Sequence, residues 1–140
     1  MSNSPQLPSA ALPGSLPGRR RVLIVDDNSF ARQALGEIFQ REPDFDVCGE
    51  ACNGNEAVGK AQILKPDLVV LDLAMPVMNG LDAARMLRRI MPAVPLIMYS
   101  GIGDRYVEHQ ARLIGIAALI AKAEPPGTLV GQARTLLAQK

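Results

Sequence analysis

From residue 20 onward, short apolar runs alternate with stripes of helical spacing. Val22–Val25 (VLIV), Leu68–Leu71 (LVVL), Leu96–Tyr99 (LIMY) and Ala117–Ala121 (AALIA) are continuous apolar runs, the pattern of strands buried on both faces of a parallel sheet. Phe45–Ala51 (FDVCGEA) alternates only in part, with Asp46 and Glu50 on one side, which suits a strand at a sheet edge. Between the runs, Phe30, Ala31, Ala34, Leu35, Ile38 and Phe39 make one helical stripe. Leu81, Ala84, Leu87, Ile90 and Met91 make a second, and Leu129, Val130, Ala133, Leu136 and Leu137 a third. Glu56–Leu64 and Asp104–Ile114 carry weaker helical patterns. The order is strand then helix, repeated through the chain. It predicts an α/β fold: a five-stranded parallel sheet with helices on both faces, joined by right-handed crossovers.

With the second strand at an edge, the expected strand order is 2-1-3-4-5, the flavodoxin-like (βα)5 arrangement. Residues 1–18 (MSNSPQLPSAALPGSLPG) stand apart, with Pro5, Pro8, Pro13 and Pro17 and no charged side chain. Such a stretch buries too little apolar surface to offset its ordering entropy, so a flexible tail is expected there and a folded domain over 19–140. The 48% of hydrophobic residues in a chain of 140 fills one core but not two. Fifteen Lys and Arg against 14 Asp and Glu leave a net charge of +1, no basis for direct nucleic-acid or membrane binding. No apolar run approaches the roughly 18 residues of a membrane span, and no leader pattern opens the chain. The expected location is cytoplasmic. Two cysteines without CxxC spacing and a single histidine, His109, exclude a disulfide scaffold and a Cys/His zinc site. Cys48 and Cys52 read as small buried or half-buried residues with no redox role, Arg19–Arg21 as a solvated strand start, and Arg85, Arg88 and Arg89 as the polar face of the third helix.

Ligands of open parallel sheets sit beyond the carboxyl ends of the strands, beside the point where strand order reverses. There the sequence places Asp26 and Asp27 after strand one, Asp72 after strand three, Ser100 and Gly101 after strand four, and Lys122 after strand five. Each residue alone suits a helix cap, a turn or a solvated charge. Their joint placement on four neighbouring strands points to one pocket. Three converging carboxylates repel unless a cation intervenes, and an all-oxygen cluster favours Mg²⁺, with Mn²⁺ as the alternative. Mg²⁺ usually takes one or two carboxylates, which leaves Asp72 on the central strand as the candidate nucleophile toward a phosphoryl group. Lys122 would then neutralise phosphoryl oxygens and Ser100 would donate a hydrogen bond to one of them.

Arg21–Asn28 (RVLIVDDN), Val69–Gly80 (VVLDLAMPVMNG), Pro95–Gly101 (PLIMYSG) and Gly115–Lys122 (GIAALIAK) resemble the receiver domain of bacterial two-component response regulators, over about residues 20 to 139. The resemblance implies that Asp72 accepts phosphate from a sensor histidine kinase or a histidine phosphotransfer protein. It implies Mg²⁺ held by Asp27, Asp72 and the backbone carbonyl of Ala74, with Asp26 acting mainly through water. Lys122 would contact the phosphoryl group and Ser100 would serve as the switch hydroxyl. Asn79 and Gly80 suit the tight turn into the third helix. The Lys-Ala-Glu-Pro-Pro sequence from Lys122 is closest in pattern to receivers of the NarL type.

Three departures from the family pattern stand out. The aromatic residue common three places before the lysine is Leu119 here, so no ring can swing in and out. Ala123 replaces the frequent proline after the lysine, which predicts a trans peptide bond. Ala74 and Ile102 are apolar where a side chain could orient hydrolytic water, so slow loss of phosphate is expected.

As a receiver the chain would be a phosphoacceptor and not an enzyme, catalysing only its own phosphotransfer and dephosphorylation. Its output would be a protein-binding face with Arg105, Tyr106, His109, Arg112 and Leu119, offered to a downstream target, to a C-terminal output domain beyond Lys140, or to a second copy of the chain on phosphorylation. Two rivals share parts of this pattern. A haloacid-dehalogenase-type hydrolase needs a second aspartate where Ala74 stands, and a degenerate receiver used as a scaffold would not need five competent residues.

Overall fold

The computed structural model describes residues 18–72, 80–100 and 105–139. Strands and helices alternate as β1 (Arg20–Val25), α1 (Ser29–Gln40), β2 (Phe45–Ala51), α2 (Gly54–Leu64), β3 (Leu68–Asp72), α3 (Gly80–Ile90), β4 (Leu96–Ser100), α4 (Arg105–Ile114), β5 (Ala118–Ala121) and α5 (Pro126–Ala138). All neighbouring strands pair in parallel, in the order β2-β1-β3-β4-β5. This is the flavodoxin-like arrangement read from the apolar runs. The stretch 1–17 lies outside the described residues.

Strand alternation divides the core into two layers. Leu23, Val25, Val69, Leu71, Leu96 and Met98 pack against Ala57 and Ala61 of α2, Ala83, Ala84 and Leu87 of α3, and Ala111 of α4. Val22, Ile24, Leu68, Val70 and Ile97 pack against Leu35 and Phe39 of α1 and Leu129, Val130, Ala133 and Leu137 of α5. Phe39 meets Phe45 edge-to-face at 5.1 Å between ring centroids, which fixes α1 on β2.

Caps set the helix starts. Asn28 Oδ1 accepts from Ala31 N–H at 3.0 Å and Asn53 Oδ1 from Glu56 N–H at 2.8 Å. Glu56 Oε1 reaches back to Cys52 N–H at 2.9 Å, and that bond holds its carboxyl below the usual range. Pro126 opens α5 directly after Pro125, where a missing N–H costs nothing. Cis peptide bonds are absent among the described residues, so Lys122–Ala123 is trans as expected.

β2 is an edge strand with a bulge. Val22 pairs with Val47 but Leu23 pairs with Gly49, leaving Cys48 as the extra residue. The Cys48 Sγ lies 3.4 Å from the Val22 carbonyl, and burial pushes its thiol pKa up. A Cβ on Gly49 would come within 2.6 Å of Leu64 Cδ1, so α2 packs closely over the bulge.

Two expectations need correction. The apolar stripe of α1 includes Phe30 by spacing, yet Phe30 is 81% exposed. The face that buries Leu35 and Phe39 is the reason, because at about 100° per residue Phe30 lies roughly 180° from Phe39. Ala34, also assigned to that stripe, is exposed. Arg21 is not a simply solvated strand start. Its backbone N–H donates to Asp67 Oδ2 at 2.8 Å and its guanidinium to the Leu64 carbonyl at 2.9 Å, closing the last turn of α2.

Candidate functional site

The carboxyl ends of β1 and β3 bring the acidic residues together. Asp26 continues the β1 ladder by one rung, its N–H donating to the Ala51 carbonyl at 3.0 Å. Its side chain is fully buried, whereas Asp27, one residue on, is exposed. Asp72 ends β3 and is 6% exposed. Carboxylate oxygens of Asp26, Asp27 and Asp72 all lie within 4.8 Å of one another. Lys122, one residue beyond β5, spans the gap over β4, with its Nζ 3.4 Å from Asp72 Oδ1 and 3.7 Å from Asp26 Oδ2.

The two oxygens of Asp26 differ. Oδ1 accepts the N–H of Asn28 at 2.9 Å, whereas Oδ2 is buried with no hydrogen-bond partner among the described residues. Burial pushes the Asp26 carboxyl pKa up, the Asn28 N–H opposes that, and the negative charges of Asp72 and Asp27 add to the rise against Lys122. A buried, unsatisfied carboxylate oxygen beside two further carboxylates fits a small divalent cation held by oxygen donors. The donors are hard oxygens, which suits Mg²⁺ or Mn²⁺ over softer metals.

Of the remaining residues assigned from sequence, Ser100 ends β4 and pairs with Ala121, beside the rung that joins Asp72 to Tyr99. The Ser100 side chain, Ala74, Asn79, Gly101 and Ile102 lie outside the described residues. Leu119 pairs with Met98 and packs half-buried against the layer under α2, α3 and α4. On α4, Tyr106 is 68% and Leu113 69% exposed, and Arg105, His109 and Arg112 are exposed with them.

Two neighbours of the site were not assigned from sequence. Asn28 supplies both the N–H on Asp26 and the cap of α1. Arg32 donates from Nη1 to the Asp26 carbonyl at 2.8 Å. The capping signal in Asn28-Ser29 was readable. An arginine within a helix carries no such signal.

The response regulator receiver domain model matches residues 22–134. The chain is 40% identical to the chemotaxis protein CheY of Thermotoga maritima over 111 residues, covering 79% of this chain and 92% of that protein. It is 40% identical over 115 residues to a protein-glutamate methylesterase/protein-glutamine glutaminase of Pyrococcus abyssi, covering 81% of this chain. The match spans 31% of that longer relative's length. Among solved structures, the response regulator domain of Thermotoga maritima CheB is similar at a TM-score of 0.80 and 30% identity, covering 86% of this chain and 97% of that one.

Proposed function

The chain belongs to the response regulator receiver domain family of two-component signalling, and on that premise we propose that Asp72 is its phosphoacceptor. The observation that carries this reading is the buried Asp26 Oδ2, without a hydrogen-bond partner among the described residues, in a cluster where Lys122 approaches both Asp26 and Asp72. A structural charge cluster would satisfy that oxygen. A phosphoryl-transfer site leaves it to the water shell of a bound cation.

In this reading Asp27, Asp72 and the Ala74 carbonyl hold Mg²⁺, with Asp26 acting mainly through water and Mn²⁺ able to replace it. Bound there, the ion supplies positive charge for the phosphoryl oxygens. A carboxylate oxygen of Asp72 attacks the phosphorus of a phosphohistidine on a sensor kinase or phosphotransfer protein. The P–N bond breaks and an acyl phosphate forms. The Lys122 ammonium pairs with a phosphoryl oxygen, and the Ser100 hydroxyl donates to another. Half-buried Leu119 supports an aliphatic repacking in place of a ring swing, and the exposed side chains of α4 offer the output face to a downstream protein. The expected compartment is the cytoplasm, and among the described residues no helix is long and apolar enough to cross a membrane. The methylesterase activity named for the longer relatives belongs to those proteins.

Incubation with Mg²⁺ and a small acyl-phosphate donor should add one phosphoryl group on Asp72, read by mass spectrometry, and Asp72→Asn should take none. Steady release of inorganic phosphate would favour a hydrolase instead, and an unmodified protein would favour a scaffold. The adduct should also be long-lived, because Ala74 and Ile102 offer no polar group to water. Ala74→Asn should shorten its lifetime several-fold in a phosphate-release assay, and slower release from the variant than from wild type would reject that account.

A further inference from the structure

Arg32 lies in the first turns of α1, yet its guanidinium reaches back over the loop that carries Asp26 and Asp27. Nη1 donates to the Asp26 carbonyl at 2.8 Å and Nε to Glu50 Oε1 at 3.2 Å. The Arg32 side chain is 20% exposed and that of Glu50 48% exposed. Two separate acceptors therefore hold one rigid, largely covered fork, the geometry that distinguishes arginine from lysine.

The brace continues into the next helix. The Glu50 carbonyl accepts a hydrogen bond from Lys60 of α2, and Lys60 also pairs with Glu56 at 3.6 Å. Glu56 in turn accepts the Cys52 N–H just past β2. Arg32 thus ties the β1–α1 loop to the carboxyl end of β2 and, through it, to the first turn of α2.

The tie acts on a particular peptide group. The Asp26 carbonyl belongs to the peptide plane between Asp26 and Asp27. The Asp26 N–H is already fixed on Ala51, and its Oδ1 on the Asn28 N–H. The bond from Arg32 removes the remaining rotation of that plane. The direction in which the exposed Asp27 leaves the chain, relative to buried Asp26, follows from it.

We propose that Arg32 is a positioning residue for the acidic pocket: it orients the Asp26–Asp27 peptide so that two carboxylates face a divalent cation together, and Glu50 aims its guanidinium. The role builds on the metal-holding function proposed above. Outer partners that orient metal ligands typically alter affinity by about 10–100-fold when removed.

Mn²⁺ titrated into the full chain by calorimetry or electron paramagnetic resonance provides the test, with melting temperatures recorded on the same samples. Arg32→Ala should weaken Mn²⁺ binding about 10-fold. Arg32→Lys keeps the charge but loses the fork, and it should fall between that variant and wild type. Glu50→Gln retains an oxygen acceptor for Nε and should bind nearly as wild type does. The amide resonances of Asp27 and Asn28 should shift in both Arg32 variants without added metal. A lower melting temperature with undiminished Mn²⁺ affinity would make Arg32 merely structural and overturn its role. If Arg32→Ala does not fold, Arg32→Lys with wild-type affinity and unmoved amides would overturn it equally. Failure of the wild-type chain to bind Mn²⁺ at all would instead remove the metal reading, and this inference with it.

Discussion

Two clusters of charge sit on this molecule, and they are built on opposite terms. At the far end from the acidic pocket, Arg134 of α5 donates from Nε to Asp44 Oδ2 at 2.8 Å and from Nη2 to Asp44 Oδ1 at 2.9 Å, and it also contacts Glu42. Its guanidinium lies 5.8 Å from the Phe45 ring centroid. Each charge there has a geometrically suited partner, with the Asp44 carboxyl pKa held down by the Arg134 hydrogen bonds and that of Arg134 pushed up. At the carboxyl ends of the strands, three carboxylates crowd one amine, the approach distances are 3.4 and 3.7 Å, and the buried Asp26 Oδ2 meets Lys122 only at the longer of these, with no hydrogen bond among the described residues. The first cluster is complete in itself and fastens α5 to the start of β2. The second is incomplete, and it is more deeply buried. Satisfaction, more than the number of charges, separates a clasp from a binding site.

The largest effect that should separate the two clusters is on metal affinity. Asp26→Asn should lower Mn²⁺ affinity about 10–100-fold, yet stabilise the metal-free chain by about 1 kcal/mol or more, since a buried charge facing like charges is removed. Arg134→Gln should lower the melting temperature and leave Mn²⁺ affinity unchanged. Calorimetric titration beside thermal melts reads both, and loss of metal binding in Arg134→Gln would erase the distinction.

A smaller effect, of opposite sign at the two ends, should appear with pH. The Asp26 carboxyl pKa is raised above its ordinary value of 3.8, so in metal-free protein its contribution is fully present below pH 3.8 and lost as pH rises through the folded value. The Asp44 carboxyl pKa is lowered below the same ordinary value of 3.8, so its contribution is present above it and lost as pH falls through the folded value. Because the Asp44 side chain is 46% exposed, solvent screening keeps its share small. Denaturant melts of metal-free protein should show the slope on the higher-pH side flattened by Asp26→Asn, and the slope on the acidic side flattened by Asp44→Asn. Equal slopes in both variants and wild type would refute the assignment.

The sheet and its strand order were legible because β1, β3 and β4 are apolar runs buried on both faces and β2 is not, although β5, read from sequence as equally buried, is an edge strand with only Ile120 buried. That asymmetry is enough to place β2 at the edge. The gathering of Asp26, Asp27, Asp72 and Lys122 was legible for the same reason, since strand order alone decides which loop ends are neighbours. Burial within the Asp26-Asp27 pair was not. Two identical residues in sequence differ only by which way the chain turns, and that turn is set by Asn28 and Arg32. Phe30 misled because an apolar residue near a helix start fits a stripe by composition even when its angle is wrong. Arg32 and Arg21 were hidden for the converse reason: a cation on a regular element reads as solvated until a carbonyl is found within its reach.

The extra residue at Cys48 has a consequence for the molecule among its own copies. An incoming strand aligned with Phe45–Val47 would lose step at Gly49–Ala51, so neither half offers more than three residues of continuous template. The β2 margin of the sheet is thereby a poor template for an incoming strand, and crowded copies of these chains should resist stacking along that side.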